Sequence, residues 1–184
     1  QEIDPQMSHF VDLGLKAATR DSADYIIIDM DTYGGALTDA DKIRTALLDY
    51  PKPVYVYINK NAASAGALIS IACDSIYMDR GSNIGSATVV DGEGKPAPDK
   101  YQSFMRAMMR STAEVNNRNP DIAESMVGTV VGTDSITVGK VTAFTTSEAI
   151  ANHYCEAEVR SLTDLYKRLH FENAHITVFE LSTV

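Results

Sequence analysis

The chain has 184 residues, 45% of them hydrophobic, which is enough for one globular domain with a buried core. It carries 25 acidic against 16 basic residues, a net charge of −9, and no basic run, which argues against a nucleic-acid partner. Cys73 and Cys155 make no metal motif and no disulfide framework, and no apolar run approaches the roughly 20 residues of a membrane span. No leader peptide is legible at Gln1, so the expectation is a soluble protein or the soluble piece of a larger one. The two cysteines are expected as separate buried thiols.

Residues 3–20 have the apolar spacing of a helix, through Met7, Phe10, Val11, Leu15 and Ala18. A continuous apolar run at 25–30 predicts a strand buried on both faces, as in a parallel sheet. It ends at Asp31-Thr32-Tyr33-Gly34-Gly35, where two glycines supply a tight turn and bare backbone N–H groups. Thr38 or Asp39 is expected to cap a helix running to about 49, with Ile43, Leu47 and Leu48 inward. A β-branched and aromatic run at 53–58 predicts a second strand, a turn at 59–61 follows, and 62–72 reads as a helix. Residues 75–78 form a third short strand, and 81–89 are small and extended. The Gly/Pro-rich stretch 91–98 is the most loop-like in the chain, and a long helix is expected from 98 or 99 to about 117. Shorter elements follow: a helix at 121–127, a β excursion within 128–144, a helix from 146, a strand within 153–159, a helix at 161–166 and a strand over 174–181. There are no repeats and no linker long enough to divide the chain. Three strand–helix units in the first half predict an α/β fold with a mainly parallel central sheet and flanking helices.

In such a sheet, ligands bind beyond the carboxyl ends of the strands. Gly34-Gly35 and Ser64 both stand there. Ser64 falls where a strand hands over to a helix, beside unpaired N–H groups and the positive end of a helix dipole. Placed so, it either starts the helix as serines commonly do, or serves as a nucleophile with anion-stabilising donors at hand. A nucleophile needs a base. His9, His153, His170 and His175 are all far from Ser64 in sequence. Lys60 lies in a turn and Lys95 in the loop, both poor places for a lysine that must be desolvated from its ordinary pKa near 10.4. Lys100 opens the long helix and shares a stripe with Phe104, Ala107, Ser111 and Val115, read here as the inward face. An inward lysine is paired, snorkelling or functional.

With Asp31-Thr32-Tyr33-Gly34-Gly35, Ala63-Ser64-Ala65-Gly66, Asn83-Ile84-Gly85, Lys100 and Glu148-Ala149 in this order, the chain resembles the NfeD-type serine peptidases. These are membrane-bound members of the ClpP/crotonase superfamily, related to signal peptide peptidase A. Tyr33 stands where the family has proline, a change in turn rigidity that removes no catalytic group. The resemblance implies a ClpP/crotonase-like fold and a Ser64–Lys100 dyad that cleaves peptide bonds through an acyl-enzyme. It implies an oxyanion hole from the Gly35 and Ala65 N–H groups, and substrate held as an added strand along Gly34, Ile84 and Gly85. It further implies no cofactor and no metal, and a homodimer or larger homo-oligomer. The partners it implies are apolar segments of membrane proteins, stomatin-like ones among them. The domain is implied to face the extracytoplasmic, periplasmic side, carried by a membrane-embedded C-terminal part. Two other readings remain open at this point: a crotonase-like acyl-CoA enzyme, and a peptide-binding domain that does not cut.

Overall fold

A computed structural model describes residues 1–128 and 140–181. The chain runs α1 (Pro5–Arg20), β1 (Ile26–Thr32), α2 (Leu37–Asp49), β2 (Val54–Ala63), α3 (Ala65–Ile71), β3 (Ser75–Met78), β4 (Asn83–Gly85), α4 (Asp99–Val115), α5 (Pro120–Val127), β5 (Ala143–Thr145), α6 (Thr146–Ala151), β6 (Ala157–Glu158) and α7 (Leu162–Arg168). β2 is the spine of the sheet. β1 lies parallel to it on one edge, from Ile26 opposite Val54 to Met30 opposite Ile58. On the other edge β3 pairs in parallel with Tyr55 to Ile58, then gives way to β4, which pairs in parallel with Asn61 to Ala63. β6 adds in parallel to β3, and β5 closes the far side antiparallel to β4. The sheet is therefore mixed.

Period-two alternation decides which face each strand residue serves. Val54, Val56, Ile58, Ile76 and Met78 point into the main core with α2, α3, α4 and α5. Tyr57 and Tyr77 point the other way, into a smaller cluster with Ala157, Val159 and Leu165 of the α7 side.

Asn59-Lys60-Asn61 does not end β2. Between Ile58 and Ala62 the strand places three residues against one of β1, Asp31, so the irregularity is a bulge inside the ladder. The two asparagines face the edge and their amides donate to Asp29 and Asp31. Polar residues inside a strand here satisfy one another across it. The helix after Ser64 starts at Ala65, not at 62.

α2 also begins earlier than expected, with Ala36 at its cap in place of Thr38 or Asp39. The buried Asp39 instead accepts a 2.7 Å hydrogen bond from the Ser8 hydroxyl and ties α1 to α2. The tail at 174–181 shows no strand and lies against α1, where Phe179 stacks on Phe10 at 5.1 Å. The expected β excursion is represented by β5; positions 129–139 fall outside the described residues.

Cys73 and Cys155 are free, buried and separate. Burial pushes the Cys73 thiol up to about 12 and the Cys155 thiol up to about 11. An unfolded thiol loses its proton near 9, so both hold protons in the fold where the unfolded chain has lost them. Their contribution is complete below that pH and falls as pH rises toward the folded values. The urea midpoint is expected to drop between about pH 8 and about pH 10.5, less so in Cys73→Ala. Neither thiol is expected to react with a disulfide reagent at about pH 8 until the protein unfolds.

Candidate active site

Ser64 occupies the single residue between β2 and α3 with φ 56° and ψ −119°. A non-glycine residue in that region carries backbone strain of about 1–3 kcal/mol and persists only when its surroundings over-determine it. Its own N–H donates to the Gly85 carbonyl at 2.9 Å, and its carbonyl receives the N–H of Ala67 at 3.0 Å. The hydroxyl does not cap α3. Helix initiation is thus done by the backbone, and the half-buried side chain is left for other work. Ser64 thus stands on a sharp, strained strand-to-helix turn, a geometry that in other folds lifts a serine side chain clear of its sheet.

Three glycines make room for that turn. A Cβ on Gly34, at φ +115°, would stand 2.7 Å from Ser64 Cβ and 3.0 Å from Ser64 Oγ. A Cβ on Gly66 would stand 2.6 Å from the Thr32 methyl, so α3 packs on β1 only without it. A Cβ on Gly35 would collide with the Ile3 carbonyl oxygen. Ile3 bridges Gly35 in parallel: its N–H donates to Gly34 O and its carbonyl accepts from Ala36 N. The Gly35 N–H therefore points to the opposite side of that segment. Among the described residues neither it nor the Ala65 N–H has a hydrogen-bond partner. Gly34→Ala is expected to cost about 2–3 kcal/mol by denaturant unfolding and to displace the Ser64 hydroxyl.

Lys100 stands differently from the expectation. The buried side of α4 is Gln102, Met105, Arg106, Met108, Met109, Thr112 and Ala113. Phe104 and Val115, read as inward with Lys100, are 57% and 59% exposed. The stripe was drawn from the lysine, whereas the core took the methionine face. Met105, Met109 and Thr112 recur at helical spacing and are buried. Lys100 is exposed, with its ammonium 5.0 Å above the Tyr101 ring. No hydrogen bond joins it to Ser64 among the described residues. The structure thus places Gly34, Gly35 and Ala65 at the Ser64 turn, with Lys100 exposed and not hydrogen-bonded to it among the described residues.

Ile84 and Gly85 lie in β4, with Ile84 fully buried in the core. Their backbones already serve β2 on one side and β5 on the other, and the Gly85 carbonyl is taken by Ser64. The Gly85 carbonyl thereby holds the Ser64 turn. Tyr33 is 81% exposed at the glycine corner.

Two further side chains, given no role by the sequence, order the turn and the loop before α4. Thr32 is buried, and its hydroxyl accepts the Gly34 N–H at 3.1 Å, orienting the glycine turn. Gln102 is 1% exposed; its amide accepts from Val89 N and donates to Val89 O and Ala97 O, closing the base of the 91–96 loop. A lone glutamine in a helix gives no sequence signal of such a role. Among the described residues no cluster of His, Cys, Asp or Glu is arranged to hold a metal ion.

Comparison with known proteins follows this geometry. Membrane protein NfeD1b of Bacillus subtilis is 34% identical over 179 residues, covering 96% of this chain and 41% of that protein. Membrane-bound protease PH1510 of Pyrococcus horikoshii is 28% identical over 159 residues, covering 82% of this chain and 34% of that protein. The chain therefore spans less than half the length of these curated relatives. Among solved structures, a 1510-N membrane-bound stomatin-specific protease, a lysine-to-alanine mutant in complex with a substrate peptide, matches with TM-score 0.78 and 26% identity, over 90% of this chain and 74% of that one. ClpP1 of Listeria monocytogenes matches with TM-score 0.67 at 18% identity, over 87% of this chain and 88% of that one. An enoyl-CoA hydratase of Mycobacterium marinum matches with TM-score 0.64 at 17%, over 91% of this chain and 72% of that one. These last two likenesses show the fold: an α/β mixed sheet with flanking helices, close to the ClpP and crotonase folds. The family model for NfeD1b, N-terminal domain, matches residues 1–179, and the chain belongs to that family.

Proposed function

We propose that this domain is a serine endopeptidase acting on apolar segments of membrane-associated proteins. The observation that carries the reading is the strained Ser64 turn, with Gly34 packed against its hydroxyl and two unpartnered N–H groups, Gly35 and Ala65, beside it. Relatives named as membrane-bound and stomatin-specific proteases support the substrate class, including a stomatin-like partner. Ser64 Oγ attacks the peptide carbonyl while Lys100 Nζ accepts its proton. The carbonyl oxygen becomes an oxyanion, held by the Gly35 and Ala65 N–H groups; each well-placed donor is worth roughly 3 kcal/mol. Collapse breaks the C–N bond, and the amine leaves with the proton from Lys100. Water then attacks the Ser64 ester, giving its proton to Lys100, and the acid product departs as Ser64 regains its hydrogen.

Lys100 is exposed, so in this mechanism substrate binding brings it to Ser64 and excludes water around it. The full-length protein is proposed to be anchored in a membrane by a part outside this chain, with this domain on the extracytoplasmic side. The names of both curated relatives support the membrane association; among the described residues no helix is long and apolar enough to cross a membrane. A homodimer or larger assembly is proposed on the exposed apolar side chains of α4, Tyr101, Phe104 and Val115. The acyl-CoA reading has only the shared fold behind it. A fluorophosphonate probe tests the proposal: mass spectrometry is expected to place the adduct on the peptide holding Ser64. An unlabelled wild type, or binding of CoA by calorimetry, rejects it.

A further inference from the structure

α3 is only seven residues long, and the strained Ser64 is its first turn. A short strained element needs both ends held. The Ser64 end is held by Gly85 and the glycine contacts. The other end is held from α4. Asn116 Nδ2 donates to the carbonyls of Ile71 at 2.8 Å and Cys73 at 3.1 Å. Arg118 Nη1 donates to the same two carbonyls at 2.9 and 3.0 Å, and Nη2 to Asp74 O at 3.4 Å. Arg118 is 6% exposed and makes no ion pair among the described residues. A guanidinium buried without a carboxylate is unusual. It caps the last carbonyl of α3, that of Ile71, and binds the carbonyls of Cys73 and Asp74 just beyond, with the charges of Glu156 and Asp74 also acting on it.

The chain aims Arg118 there by the way α4 ends. Asn117 takes φ 58°, its N–H returns to Glu114 O, and the Arg118 N–H returns to Ala113 O. That pair of bonds is the Schellman ending, with asparagine in the left-handed position. The turn throws the arginine back onto α3. Both helices therefore run toward one anchor, and Ser64 and Lys100 stand at the ends of two arms, about 12 Å and about 24 Å long at 1.5 Å per residue. A rotation of about 5° at the anchor moves the far end of the longer arm by about 2 Å.

We propose that Arg118, supported by Asn116, is a positioning residue that sets Ser64 against the oxyanion donors and against the approach of Lys100. The inference rests in part on the serine-peptidase reading, and its test has one arm that does not. The variants are Arg118→Gln, Arg118→Lys and Asn116→Ala, with Arg44→Met as control. Arg44 is a half-buried arginine that links α2 to Thr112 and Ser111 of α4 and makes no hydrogen bond to α3 among the described residues. The first readout is the rate of fluorophosphonate labelling per folded molecule, below each variant's unfolding range. The second is the amide resonances of Ala65 and Gly66 by nitrogen-15 NMR.

Arg118→Gln is expected to slow labelling about 100-fold, the scale of a misplacement near 1 Å. Arg118→Lys is expected to recover to within about 10-fold, since an ammonium keeps the charge and one or two of the donors. Both amide resonances are expected to shift in Arg118→Gln and to stay in place in Arg44→Met. Labelling within about 3-fold of wild type, with Ala65 and Gly66 unmoved, overturns the proposal. If Arg118→Gln does not fold, Asn116→Ala decides, with about 10-fold slower labelling and the same two resonances moved, or neither. If the wild type is not labelled, the peptidase reading fails alone, and the resonances still decide the role of Arg118.

Discussion

Ser64→Ala is expected to lower peptide hydrolysis by about 10⁶-fold, to the residual level that an oxyanion hole and binding alone sustain. The backbone at 64 is strained whichever side chain it bears, because φ 56° suits a residue without Cβ. Alanine removes the hydroxyl and keeps the strain, so its stability should match the wild type within about 0.5 kcal/mol. Ser64→Gly removes both. It is expected to be equally inactive and about 1 kcal/mol more stable than Ser64→Ala, or roughly 2–4 °C in Tm for a chain of this size. Inactivity together with raised stability is what a turn strained for chemistry predicts, whereas a plain helix start predicts a loss. Hydrolysis that persists in Ser64→Ala at more than about a hundredth of the wild-type rate removes Ser64 from the mechanism.

Lys100→Ala is expected to slow acylation by about 10³–10⁴-fold, the upper range for a general base, while leaving the unfolding midpoint unchanged. The lysine is exposed, and its contact with the Tyr101 ring at 5.0 Å is a surface one, worth at most about 1 kcal/mol. A residue that matters little to the fold and greatly to the rate is one the reaction uses. Lys100→Arg is expected to be as inactive as the alanine form, because a guanidinium does not give up its proton. Stopped-flow acylation with an activated ester, followed by Tm for each variant, measures both halves. Equal rates for wild type and Lys100→Ala reject the dyad.

The sheet was legible because its strands are short, apolar and β-branched: 75–78 fall where expected and β1 differs by one or two residues at each end. The Ser64 turn was legible for the same reason, since a strand signal and a helix signal meet there. The bulge in β2 was not, because Asn59 and Asn61 look like a turn until Asp29 and Asp31 lie opposite them. The inward face of α4 was misread because methionine, glutamine and threonine fill it while phenylalanine and valine face outward. Sequence periodicity locates a stripe; only packing decides whether a neighbour lies on it. Arg118 escaped notice because its partners are carbonyl oxygens, which every residue has and no motif marks.

Gln102 grips both legs of the 91–96 loop from within the first turn of α4, while Asp91 accepts the N–H groups of Glu93 and Lys95 inside it. These bonds tie the loop to the start of the helix. If the domain works as proposed, a peptide that displaces this loop would carry the Lys100 amine with it, and recognition of the chain to be cut and delivery of the base would share a single degree of freedom.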